Sequence, residues 1–200
     1  MNINFAKSAL IEIDVQNDFC PGGALAVADG DMVVSPLNEI ARRFGAAGAP
    51  VIATQDWHPA GHCSFLSSGR KPAEGETLWP DHCVQGTQGA DFHGGLDMKP
   101  VTLIVRKGFR PHIDSYSAFF ENDGKTGTGL IGFLKGLGIE TLYIGGLATD
   151  YCVFFSVMDA IKLGFSVYLL QYAVRGVNYP EGSVEKALAA MKTAGVRSLV

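Results

Sequence analysis

The sequence predicts an α/β fold with a parallel sheet covered by helices on both faces, and three observations carry the prediction. Short apolar runs alternate with helix-length amphipathic segments five or six times, the rhythm of βαβ units. The first run, from Ala9 to Val15, is nearly continuous in apolar residues, interrupted by Glu12 and Asp14, as expected of a strand buried on both faces. Polar residues with chemical potential, Asp14 and Cys152 among them, fall at or just beyond strand ends. Ligands bind there in parallel sheets, near a topological switch point.

In chain order, the first strand is followed by the turn-rich loop QNDFCPGG. Positions 35 to 44 have helical spacing (Leu37, Ile40, Ala41, Phe44), with Ser35 as N-cap, Pro36 at the first helical position and glycines at 45 and 48 as the stop. Strands are expected over 51 to 54 and 101 to 105, a helix over 128 to 137 and a fourth strand over 141 to 144. Two glycines, 145 and 146, end that strand. Asp150 then caps a helix over 151 to 163. A fifth strand over 166 to 170, an amphipathic helix over 180 to 193 and a terminal strand over 196 to 200 complete the chain.

Two hundred residues with 47% hydrophobic content fit one domain, 1–200, with a full core. A net charge of −4 without long like-charge runs excludes a nucleic-acid footprint and a polybasic membrane patch, leaving small molecules as the expected partners. No charged segment precedes a cleavable apolar core at the start, and no apolar run reaches the ~18 residues of a membrane span, so a soluble cytoplasmic protein is expected. The four cysteines (Cys20, Cys63, Cys83, Cys152) read as free thiols.

The segment from about 57 to 100 holds no convincing periodic element and is far longer than an ordinary connection. It contains both tryptophans and four of the five histidines: His58, His62, His82 and His93. Asp56 and His58 stand two apart at a strand end, so their side chains share one side, and Pro59 keeps His58 extended. They can converge on one ion. His82 and His62 are the candidates for a third ligand, with His93 behind them. An Asp with two His and open positions suits zinc, iron or manganese. For a lone D-x-H the alternative is an N-cap or a turn hydrogen bond.

Cys152 falls in the first turn of its helix, where free N–H groups and the helix dipole favour a thiolate and can hold an oxyanion. The alternative is a small buried hydrophobe. Asp14 after the first strand and Lys107 after the third add a base and a cation, which together complete the set needed to attack an amide. The metal candidates lie far from Cys152 in sequence, so metal and thiol are expected to act separately. Gly124-Lys125-Thr126 is no phosphate-binding loop, because Phe119 stands where its first glycine belongs. Glycines 145 and 146 lack the third glycine of a dinucleotide fingerprint.

IEIDVQNDFCPGGAL, TQDWHP, HCSF, LWPDHCVQGT, KGF…DSYSAFF and GGLATDYCV, in this order over essentially the whole chain, strongly resemble the nicotinamidase (pyrazinamidase) branch of the isochorismatase-like cysteine hydrolases. The resemblance implies a six-stranded parallel sheet in a three-layer α/β/α fold and a Cys152, Asp14, Lys107 triad. It implies one divalent metal, zinc before iron or manganese, on Asp56, His58 and His82, with His62 as a further candidate ligand. Phe19, Trp79 and Tyr116 match residues lining the family's nicotinamide slot. A cis peptide before Ala148, and an oxyanion hole from the backbone N–H groups of Ala148 and Cys152, are implied as well. The activity implied is hydrolysis of nicotinamide, and of pyrazinamide, through a thioester, with a small amide as substrate and a homo-oligomer compatible with it. A sibling carbamoyl or ureido amidase, and a non-catalytic metal- or ligand-binding protein of this fold, are the alternatives.

Overall fold

The computed structural model describes residues 3–199. Its six strands are β1 (Ser8–Ile13), β2 (Val51–Asp56), β3 (Val101–Lys107), β4 (Thr141–Leu147), β5 (Ser166–Arg175) and β6 (Arg197–Leu199). They form one parallel sheet in the order β3-β2-β1-β4-β5-β6. The helices are α1 (Val34–Ala46), α2 (Leu130–Gly136), α3 (Cys152–Lys162) and α4 (Ser183–Thr193). Every residue of β1 and β2 is buried, which is why those strands read as apolar runs.

Two apolar clusters cover the sheet. On one side Ile11, Ile13 and Ile144 pack with Leu134 of α2, Val157 of α3 and Met191 of α4. On the other, Leu10, Val51 and Leu170 pack with Leu37 and Phe44 of α1. The buried stripe of α1 (Leu37, Ile40, Ala41, Phe44) follows the helical period, so sequence spacing and burial agree there. The result is three layers.

Several boundaries differ from the sequence expectation. A 3-10 turn (Gly30–Val33) feeds α1, which begins at Val34, so Ser35 lies inside the helix and makes no cap. β4 does not stop at the two glycines but continues through them to Leu147. Gly146 has φ 119, and a Cβ there would come within 2.1 Å of the Ile13 carbonyl oxygen, so the close approach of β4 to β1 requires glycine. Asp150 does not cap α3. Its carboxylate accepts from the Val177 and Asn178 N–H groups and from Ser183 Oγ, tying the start of α3 to the segment before α4. β2 and β3 run two residues further than expected, to Asp56 and Lys107, and β5 runs on to Arg175. The expected helix from 180 starts at Ser183. The terminal strand covers Arg197–Leu199, and position 200 lies outside the described residues.

The long segment 57 to 100 has only two 3-10 turns, Leu66–Ser68 and Gln88–Ala90. Isolated bridges, His58 to Val84 and Phe65 to Trp79, fold it back over the carboxyl end of the sheet. Among the described residues no helix is long and apolar enough to cross a membrane.

Candidate active site

Because β3, β2, β1 and β4 are neighbours, the residues at their carboxyl ends meet. Lys107 ends β3, Asp56 ends β2, Asp14 follows β1, and Cys152 opens α3 just after β4. The order of connections reverses between β1 and β4, so Asp14 and Cys152 flank the switch point.

Lys107 is fully buried and organises this end of the sheet. Its ammonium hydrogen-bonds Asp56 Oδ1 at 3.1 Å, the Ser115 carbonyl at 2.9 Å and Cys152 Sγ at 3.4 Å, and it lies 2.8 Å from Asp14 Oδ2. Burial alone would lower its pKa, but Asp14 and Asp56 outweigh that and hold it well above the usual range. Burial raises the Asp14 carboxyl, with Lys107 opposing. Desolvation also pushes the Cys152 thiol well above its ordinary value, the Lys107 charge notwithstanding. Burial thus opposes the effect of the helix terminus. The dipole and cation are present, but burial and the two carboxylates oppose them. A base is therefore needed to free the thiolate, and the Asp14 carboxylate, held against the same Lys107 ammonium, is placed to act as one.

The metal candidates adjoin this group. Asp56, His58 and His82 bring one ligand atom each within 4.8 Å of one another. His58 Nε2 lies 2.9 Å and His82 Nε2 3.5 Å from Asp56 Oδ2. Each ring is turned by its other nitrogen, His58 Nδ1 against the Gly108 carbonyl at 2.9 Å and His82 Nδ1 against that of Pro80 at 2.7 Å. Those bonds leave both Nε2 atoms facing the carboxylate, a donor set that fits a divalent ion. Burial would raise the Asp56 carboxyl, yet His58 and Lys107 hold it well below the usual carboxylate range. His62 stands apart from this trio and groups instead with His58 and Asp114. Its Nδ1 meets Ser64 Oγ at 2.7 Å and its Nε2 meets the Arg110 carbonyl at 2.9 Å, so both nitrogens already have partners. His93 joins neither group; its Nδ1 accepts from the Gly95 N–H.

The metal candidates and the thiol, far apart in sequence, are neighbours in space. Lys107 bonds both Asp56 and Cys152, which are 96 positions apart in the chain but one ammonium apart in space. Sequence distance could not reveal this, because strand order decides it.

A narrow cavity of about 30 Å³ opens over these groups. Cys152, Ala148, Asp56, His58 and His82 all line it. Phe19, Trp79 and Tyr116 line it, with Trp79 Nε1 donating to Tyr116 Oη at 3.0 Å. The peptide between Leu147 and Ala148 is cis. Leu25, Tyr151 and Val177 also line the slot and were missed by sequence reasoning. Tyr151, next to the cysteine and in T-shaped contact with Trp79, was the one a reader could have found.

Sequence reasoning also missed the residues that brace the metal loop. Gln16 Oε1 accepts from the Asp56 N–H while its Nε2 donates to the Asp56 and Ala90 carbonyls, all at 2.8 Å. Asp18 Oδ2 accepts from the Cys83 N–H at 2.7 Å, holding the turn that follows His82. The loop after β1 thus anchors both ends of the metal segment.

Comparison with known proteins agrees with this architecture. The isochorismatase domain family matches residues 8–199. The nicotinamidase of Acinetobacter baylyi is 44% identical, over 96% of this chain and 91% of its own. The structure of PnC1 from L. infantum in complex with nicotinate superposes with a TM-score of 0.89 at 38% identity, covering 100% of this chain and 95% of the other. That of the Pyrococcus horikoshii pyrazinamidase in complex with zinc gives 0.85 at 40%, covering 96% and 98%.

Proposed function

The chain belongs to the isochorismatase family, and from that premise we propose that it is a cysteine amidohydrolase converting nicotinamide to nicotinate and ammonia, with pyrazinamide as a second substrate. The observation that carries the reading is the convergence of Cys152, Asp14 and Lys107 with Asp56, His58 and His82 on one aromatic slot. The similar proteins named for nicotinamidase and pyrazinamidase activity support the choice of substrate.

In this reading Asp14 takes the proton of Cys152, and the thiolate attacks the amide carbon. The backbone N–H groups of Ala148 and Cys152 receive the oxyanion. Asp14 then protonates the departing ammonia, and water hydrolyses the thioester. Lys107 orients Asp14 and offsets the negative charge that the two carboxylates and the thiolate bring together. The proton is shared among coupled groups, so its position belongs to the set and not to one residue. Phe19, Trp79 and Tyr116 confine a flat ring in the slot. Asp56, His58 and His82 would hold one divalent ion, zinc before iron or manganese, whose contribution is an anchor for the pyridine nitrogen. His62 packs on His58 with ring centroids 4.3 Å apart and supports it.

The reading extends to a single hydrolase domain of 200 residues, a cytoplasmic location, a part in returning nicotinamide to NAD and a homo-oligomer as a compatible state. A carbamoyl or ureido amidase would have no use for an aromatic slot facing a metal trio, and a non-catalytic binder no use for a buried thiol beside a base. Ammonia release from nicotinamide, pyrazinamide and benzamide by the zinc-loaded protein tests the assignment. Release from nicotinamide and pyrazinamide is expected; a protein that hydrolyses neither would overturn it.

A further inference from the structure

The carboxylate of Asp14 has two oxygens, and the residues around it treat them differently. Thr54 lies in β2, next to β1 in the sheet, and its side chain is fully buried. Its hydroxyl donates to Asp14 Oδ1 at 2.6 Å and accepts from the Asp14 N–H at 3.1 Å. One hydroxyl thus holds both the main chain and the side chain of Asp14, a residue whose backbone sits in the left-handed region at φ 47.

The other oxygen is in a different situation. Lys107 lies 2.8 Å from Oδ2, but an ammonium has only three protons. Three further acceptors compete for them, Asp56 Oδ1, the Ser115 carbonyl and Cys152 Sγ. Oδ2 is buried against the Lys107 ammonium and takes no hydrogen bond from Thr54. It has a lone pair to spare.

We propose that Thr54 is a positioning residue for the amidase reaction: by occupying Oδ1 and clamping the Asp14 backbone, it makes Oδ2 the oxygen that receives the Cys152 proton. In that step the Sγ–H bond breaks and an Oδ2–H bond forms, leaving the thiolate beside Lys107. Without the hydroxyl, Asp14 is free to rotate about its side-chain torsions and to present either oxygen, or neither, to the sulfur. This inference rests on the amidase reading and adds to it a residue that does not touch the substrate, since Thr54 does not line the slot.

The test uses the zinc-loaded full chain and three variants. Wild type is assayed first on nicotinamide; absence of ammonia release would overturn the amidase reading itself and not only the role of Thr54. Thr54→Val keeps the shape and removes the hydroxyl, and it is expected to lower kcat at least ~10-fold while KM stays within about twofold, because misplacement of a reacting group costs rate and the ring anchors are unchanged. Thr54→Ser restores the hydroxyl and is expected to recover kcat to within about threefold of wild type. Zinc content should be the same in all. Should Thr54→Val fail to fold, Thr54→Ala carries the same expectation. A hydroxyl-free variant with wild-type kcat, or a Thr54→Ser variant as slow as the valine form at equal zinc content, would overturn the proposal.

Discussion

At the scale of single residues, the proposed nucleophile and its base owe their properties to burial. Cys152 and Asp14 both titrate above their usual values because water is excluded, so neither acts as an isolated group. Cys152→Ala removes the covalent route while leaving a small cavity, and we expect kcat to fall at least about 10⁴-fold with the melting temperature nearly unchanged. Mass spectrometry after rapid quench should find a nicotinoyl adduct on Cys152 in the wild type; an adduct on Cys20, Cys63 or Cys83 would redirect the mechanism. Glu12 is raised by the same burial but takes no part in the proposed chemistry. It lies one residue from the carboxyl end of β1, buried, with neither carboxylate oxygen hydrogen-bonded, and burial together with the charge of Asp97 pushes its pKa up to about 8 from 4.5. Below pH 4.5 the carboxyl is protonated whether the chain is folded or not, so its ionisation costs nothing. As pH rises from there to about 8 the unfolded chain releases the proton and the folded chain does not, and stability is lost across that window. The loss is on the order of 5 kcal/mol for a shift of this size. Glu12→Leu should therefore melt higher than wild type by a margin that widens from pH 5 to pH 8. A margin that stays constant with pH would show that Glu12 is not protonated in the folded state.

Elements place these residues, and their ends matter more than their middles. The turn after β3 is an example. Gly108 has φ 66, and a Cβ there would lie 2.4 Å from His58 Cε1, so only glycine lets the turn pass under the imidazole while its carbonyl accepts from Nδ1. Gly108→Ala should displace His58, lowering bound zinc well below one per chain and nicotinamide turnover with it. Full zinc occupancy in that variant would mean that His58 is not held by this turn or does not ligate. The loop after β1 works in the same way through Gln16 and Asp18, which hold the backbone of Asp56 and of the turn beyond His82. These braces explain how a long segment without regular secondary structure presents a defined site.

For the whole molecule, the sheet order makes one centre out of two. Lys107 bridges Asp14 and Asp56, so the nucleophile and the proposed ion share a cation. If the ion's contribution is to anchor the pyridine nitrogen, chelation should abolish nicotinamide turnover, and added zinc should restore it. Benzamide, with the same amide and no ring nitrogen, should be a poor substrate before and after chelation. Rapid, zinc-dependent hydrolysis of benzamide would instead require the ion to act on the carbonyl or on the attacking water.

Local chemistry determined much of this in the sequence. Apolar runs gave the strands, the 37-40-41-44 spacing gave α1, and the pairing of Asp56 with His58 two positions apart marked a strand end that could ligate. Asp14, Lys107 and Cys152 were visible because polar residues beyond strand ends are conspicuous against apolar neighbours. Other features had no local signal. That β4 passes through Gly145 and Gly146 depends on the nearness of the Ile13 carbonyl; that Asp150 binds the segment before α4 and not its own helix depends on a contact across 27 positions. Thr54, Gln16 and Asp18 read as ordinary strand and loop residues, and only their partners give them a role. The thiol's surroundings were set in the same way, since the helix terminus is a local property but the burial of Cys152 depends on segments distant in the chain. Hydrogen-bond partners and solvent exclusion are set by packing between distant segments, and so the tertiary structure alone decided them.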